Sequence, residues 1–298
     1  MTPLLHRRLP LVSASLLVIF LLVLARRIGG DTTVLLVASS LVMFACCWAS
    51  AAHLLGGAAA LRLVAIATGL GWLAEQLGST YGWFFGSYTY TPVLGPRLLD
   101  VPVVIPMMWF ALAYVGYVVS NLIVWQDPVD APAAPGHDAI LALLGALVVT
   151  CYDLGVDPYM VYVLKAWIMA KTDGWWFGET VQGFAGWMVV SFTILFAFRR
   201  LARVRPAAAS SGPDRGHAVV PTLRHVLVPL GVYAGLMVFQ VLLGYPVEAR
   251  TIALFAMGFP LLAAVIGLLR WQGVLARPAA DAQSSTAALP AEALKEAA

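Results

Sequence analysis

Glu75 and Asp153 stand near the ends of long apolar runs, and an ionisable side chain in such a run is costly enough that function is its first explanation. Trp72 lies three residues before Glu75 and Ser79 four after it, so a helix there gives one face an indole, a carboxyl and a hydroxyl. Asp153 holds the equivalent end of a later run. Asp157, just before Pro158, reads equally as a further catalytic acid or as the N-cap of a short interfacial helix running through Trp167. Buried carboxyls of this kind do proton chemistry, because apolar surroundings keep an acid neutral until it donates.

Aromatic rings gather around these acids. Between the third and fourth apolar runs the chain reads Tyr81, Gly82, Trp83, Phe84, Phe85, Gly86, Ser87, Tyr88, Thr89, Tyr90, a ring-rich stretch that glycine allows to bend. A second group, Trp167, Trp175, Trp176, Phe177 and Trp187, flanks the segment between the fifth and sixth runs. Any one of these rings can be explained as part of an interfacial aromatic belt; the whole constellation points to a site. Asp127, Asp130, Asp173 and Glu248 read as solvated loop charges, and Glu179, beside Trp176 and Gly178, stays open between loop and site.

Other chemistries lack support. His6, His53, His137, His217 and His225 form no HxxxH or HExxH pair, and Cys46, Cys47 and Cys151 have no metal or disulfide spacing, so no metal site is expected. Nucleotide-binding and acyl-transfer motifs are missing from the sequence. A net charge of +3, with the basic residues in loops, argues against a nucleic-acid partner.

The elements that must position these groups are membrane helices. With 61% hydrophobic and 11% charged residues, the chain cannot cover itself with a hydrated surface, so lipid is its solvent. About 20 apolar residues cross a bilayer as a helix, and eight runs meet or approach that length: 9–25, 32–55, 59–79, 102–124, 138–154, 182–199, 224–244 and 250–270. The fold class is therefore an all-α polytopic bundle, with one transmembrane domain over 1–270 and a flexible tail over 271–298. Arg26 and Arg27 directly follow the first run without a small-residue cleavage site, so that run is read as an anchor. Asp31 with Thr32 is expected to cap the second helix and Asp138 the fifth; Pro128, Pro132 and Pro135 keep the segment before the fifth out of helix. Pro206–Gly216 reads as a solvated loop. One side collects Arg7, Arg8, Arg62, Arg199, Arg200, Arg270 and further cations, whereas the other has Arg26, Arg27, Arg97, Lys165, Lys171 and Arg250. Both termini are thus expected in the cytoplasm of a cell-membrane protein.

Glu75, Gly78, Gly82, Phe85, Gly86, Tyr88 and Tyr90, then Pro102, Pro106 and Trp109, then Asp153, Asp157, Pro158 and Trp167 resemble the carotenoid hydratase family of membrane enzymes over residues 70–190. Gly178, Phe184, Gly186 and Trp187 extend the likeness. The sequence departs from that pattern at Glu179, Thr180 and Gly183, which bears on substrate fit or water placement. The resemblance implies addition of water to the terminal alkene of an acyclic carotenoid, giving a tertiary alcohol without a cofactor. It implies Glu75, Asp153 and Asp157 as catalytic acids. Trp72, Trp83, Phe85, Tyr88, Tyr90, Trp109, Tyr152, Trp167, Trp176 and Trp187 would line the substrate site, and the implied partners are membrane lipid, the carotenoid and other carotenoid-biosynthesis enzymes. A carotenoid or lipid carrier would use the same residues without turnover. An end-group cyclase would share the first protonation but capture the cation with an internal alkene.

Overall fold

The computed structural model describes residues 3–129, 136–203 and 223–275. Asp130, Pro132, Pro135, His217, the stretch 206–216 and the tail from 276 onward lie outside the described residues. Among the described residues eight helices are long and apolar enough to span a bilayer, which bears out the polytopic α-bundle. They are α1 (Pro3–Ile28), α2 (Thr33–Leu54), α3 (Gly57–Tyr81), α4 (Val104–Trp125), α5 (His137–Pro158), α6 (Val181–Arg203), α7 (Leu223–Leu243) and α8 (Val247–Trp271).

α4 is the central post, packed by α2, α3, α5 and α8, and its Trp109, Phe110, Tyr114 and Val118 are fully enclosed. Without a hydrophobic force between helices in lipid, close backbone approach carries the packing, and small residues supply it. A Cβ on Gly116 would stand 2.8 Å from the Gly145 carbonyl oxygen, and one on Gly267 would stand 2.1 Å from that of Leu122, so α5 and α8 both touch α4 at glycine. A buried arginine pins α6 to the same post. Arg199 donates to Asn121 Oδ1 and Ser120 Oγ, each at 2.9 Å, and lies 4.3 Å over the Tyr117 ring.

Helix ends follow local chemistry with three corrections. Thr32 Oγ1 accepts from Leu35 N at 3.2 Å and caps α2, whereas Asp31 instead pairs with Arg27 at 2.6 Å. Asp138 is not the cap of α5; Gly136 holds that position and Asp138 lies buried in the first turn. Nor does Asp157 start a new helix. α5 runs on through Pro158 into one π turn, Tyr159–Val163, so the chain reaches Trp167 as a strand rather than as an interfacial helix. Proline is tolerated there because Leu154 O, the carbonyl that Pro158 leaves without an amide donor, accepts from Trp176 Nε1 at 3.0 Å.

The loops between the spans carry short strands: β1 (Tyr88–Tyr90), β2 (Arg97–Leu98), β3 (Val101–Pro102) and β4 (Trp167–Met169). β1 pairs antiparallel with β4, with Tyr88 opposite Met169 and Tyr90 opposite Trp167. The two aromatic loops are therefore stitched into one cap over the bundle end. Tyr159 donates to Asp31 Oδ2 at 2.9 Å at that end, while the rings of His53 and His225 meet 4.2 Å apart at the loops on the opposite one.

Candidate active site

Glu75 sits in the penultimate turn of α3 and is buried. Its Oε1 accepts from Trp109 Nε1 at 2.9 Å, and its Oε2 accepts from the hydroxyls of Tyr90, at 2.7 Å, and Tyr88. Three donors on two oxygens match the acceptor capacity of a carboxylate. Strand alternation places both tyrosines on one buried face with Thr89 outward. Gly82, at φ 71° in the left-handed region, ends α3 and turns the chain back over it. Gly71, one turn before Glu75, lets the Trp109 indole lie against α3, since a Cβ there would stand 2.6 Å from the ring. Burial pushes both tyrosine hydroxyls well above their ordinary range, and the charge of Glu75 adds to the effect, so they remain donors.

The opposite wall comes from α5. Asp153 and Asp157 project one turn apart, 1% and 8% exposed. Neither oxygen of Asp153 has a hydrogen-bond partner among the described residues. A neutral acid is tolerated in that position at far lower cost than an unpaired carboxylate. The carboxyl of Asp157 adjoins that of Glu179, close enough to share a hydrogen bond. Glu179 is 2% exposed, and the hairpin leading to it is tight: Glu179 N donates to Trp176 O at 2.8 Å, and a Cβ on Gly174 would collide with the Glu179 carbonyl. Burial raises the Glu179 carboxyl above the ordinary range, partly offset by its hydrogen bond with Asp157.

Between the two walls lies a pocket of about 670 Å³, counting its mouth, that reaches Glu75, Asp153 and Asp157. Of the expected substrate-contacting residues, Phe85, Tyr88, Tyr90, Trp109, Tyr152, Trp167 and Trp187 line it. The Trp109 and Trp187 rings meet at 4.4 Å, tilted by 31°, and Tyr90 meets Trp167 edge to face at 5.9 Å. Trp72, Trp83 and Trp176 do not line the pocket. Trp72 Nε1 reaches Leu98 O at 3.4 Å, Trp83 is 57% exposed, and Trp176 donates to Leu154 O at 3.0 Å behind α5. Ile105, Met108, Val156, Met160 and Met169, none of them expected from the sequence, complete the lining together with Gly183. Val156 and Met160 follow Asp153 at helical spacing, a signal that only a helix continuing past Pro158 reveals. Among the described residues no group of three His, Cys, Asp or Glu side chains converges as a metal site would.

The fold and this site define a polytopic membrane protein with an acid-lined aromatic pocket at one end of the bundle. The pattern of the family described as "Carotenoid biosynthesis protein" matches residues 30–266, and the chain belongs to that family. The chain is also similar to the bisanhydrobacterioruberin hydratase of Haloarcula japonica, with 30% identity over 141 residues. That match covers 47% of this chain and 44% of the relative, so less than half of the curated protein is spanned. No solved structure matches.

Proposed function

We propose that this protein is a cofactor-independent carotenoid hydratase, adding water to the terminal double bond of an acyclic end group. One observation carries the reading: Asp153, buried with no hydrogen-bond partner among the described residues, shares an apolar ring-lined pocket with Glu75, which is held by three donors. The two acids occupy environments of opposite character, which divides their roles.

Asp153 is the proton donor. Its O–H proton goes to the less substituted alkene carbon, the π pair becomes the new C–H bond, and a tertiary cation forms next to it. The Glu75 carboxylate and the faces of Trp109, Tyr88, Tyr90 and Trp187 stabilise that cation, each ring by roughly 0.5–2 kcal/mol. Water then forms the C–O bond and loses a proton to the Asp157–Glu179 pair. Asp157, one turn from Asp153, returns a proton to it, so the cycle consumes one water and no net proton. The polyene itself lies toward lipid, with only its end in the pocket. With both termini in the cytoplasm, as the loop charges favour, the site faces the opposite leaflet.

Membranes containing the protein, supplied with acyclic carotenoid precursors in ¹⁸O-labelled water, should yield a product heavier by one labelled water with an unchanged chromophore. Asp153→Asn should remain inserted and yield none. Bound but unaltered precursor would identify a carrier, and a cyclised product without label would identify a cyclase.

A further inference from the structure

A second, smaller cavity, with about 30 Å³ of water-sized space, lies behind the reaction pocket. Met108, Tyr152, Val156 and Met160 line both, and the last three recur at four-residue intervals along α5 and its π turn. This stripe is the partition, while the neighbouring stripe of Asp153 and Asp157 faces the reaction pocket. The far wall is polar in a way that no apolar occupant uses. Arg27, Ser40 and Gln240 line it, at 9%, 8% and 3% exposure.

Each of these groups has hydrogen-bonding capacity left over. Gln240 Nε2 donates to Tyr152 O at 2.9 Å, but Oε1 has no partner among the described residues. Gly155 admits Gln240 to the α5 backbone, because a Cβ there would stand 2.3 Å from Oε1. Arg27 spends three N–H bonds on Asp31 and Ser39 and lies 4.5 Å over the Phe239 ring, which leaves two of its five donors. Ser40 donates to Leu36 O at 3.0 Å and keeps its lone pairs. An unanswered buried acceptor costs about 1–3 kcal/mol, and a buried water with two to four polar partners removes that cost. Arg27 leads outward through Asp31, which Tyr159 also contacts, to the loop end of the bundle.

We propose that this chamber binds solvent water and feeds it across the Tyr152–Val156–Met160 partition to the reaction pocket. An apolar polyene end entering from lipid fills the pocket mouth, so the nucleophile needs a separate route. That the chamber is hydrated stands alone; that its water is the reactant rests on the hydratase reading.

Hydroxyl-radical footprinting by X-ray radiolysis of the full chain in lipid nanodiscs tests it, since radicals born from bound water oxidise adjacent side chains. Phe239 lines the chamber and not the reaction pocket, and Phe110, 0% exposed, is the dry control. Phe239 should be oxidised several-fold faster than Phe110, and Gln240→Leu or the shape-preserving Ser40→Ala should reduce that rate. In labelled water the same variants should lower labelled alcohol several-fold at unchanged KM for the polyene. Phe239 no faster than Phe110, or full labelled product from both variants, overturns the proposal. Oxidised Phe239 with no labelled product from the unaltered chain retains the chamber and removes the hydratase reading instead.

Discussion

Replacing Glu75 by glutamine probes the electrostatic centre of the site while keeping its shape. The amide oxygen can still accept from Trp109 Nε1, and a tyrosine hydroxyl can turn to accept from the new NH₂, so the cap over α3 survives. What disappears is a negative charge beside the proposed cation. At an effective dielectric of about 20, a carboxylate about 5 Å from a cationic carbon is worth about 3 kcal/mol, or roughly two orders of magnitude in rate. Alanine would be a poor substitute: it strands three buried donors, each at a cost of about 1–3 kcal/mol, a sum comparable to the stability of a whole domain. The assay is initial-rate formation of hydroxylated carotenoid in proteoliposomes, with thermal unfolding as the control on folding. A loss of about a hundredfold at nearly unchanged melting temperature is expected. Wild-type turnover by a folded Glu75→Gln variant would refute the charge argument.

Three further outcomes follow from the geometry. Gly71→Ala should push Trp109 off α3 and cost about 1–3 kcal/mol of stability together with activity, read by thermal melts and turnover. Glu179→Gln removes a carboxyl whose folded-state proton affinity is raised by burial. Such an acid favours the folded state at low pH, and that contribution is lost as pH rises from the unfolded value through the folded one, so the variant should gain melting temperature relative to wild type as pH rises across that window. Its rate profile should also lose the titration that the Asp157–Glu179 pair contributes. Trp83→Ala, by contrast, should leave turnover unchanged, because the ring lies outside the pocket and is 57% exposed.

Membrane character, the eight helices and two acids of the candidate site, Glu75 and Asp153, are legible in the sequence because each rests on local chemistry. A helix in lipid must satisfy its own backbone bonds, so apolar length is enough to find it. Glu75 and Asp153 are visible because acids are rare in such runs. Arg27, Arg199 and Gln240 are equally buried but sit near helix ends, where sequence alone reads a cation as a topology signal or an amide as a surface group.

Pairing and aim were decided by the tertiary structure. Nothing local says that β1 finds β4 across more than seventy residues, or that this pairing turns Tyr88 and Tyr90 onto Glu75. Asp157 before Pro158 looks like a helix start until packing carries α5 past the proline and keeps the acid inside the helix, next to Glu179. Trp72, Trp83 and Trp176 share composition with Trp109 and Trp187, yet only the latter two face the pocket. Residue type and spacing fix which groups can do chemistry; which of them converge depends on long-range contacts whose free energy no single segment contains.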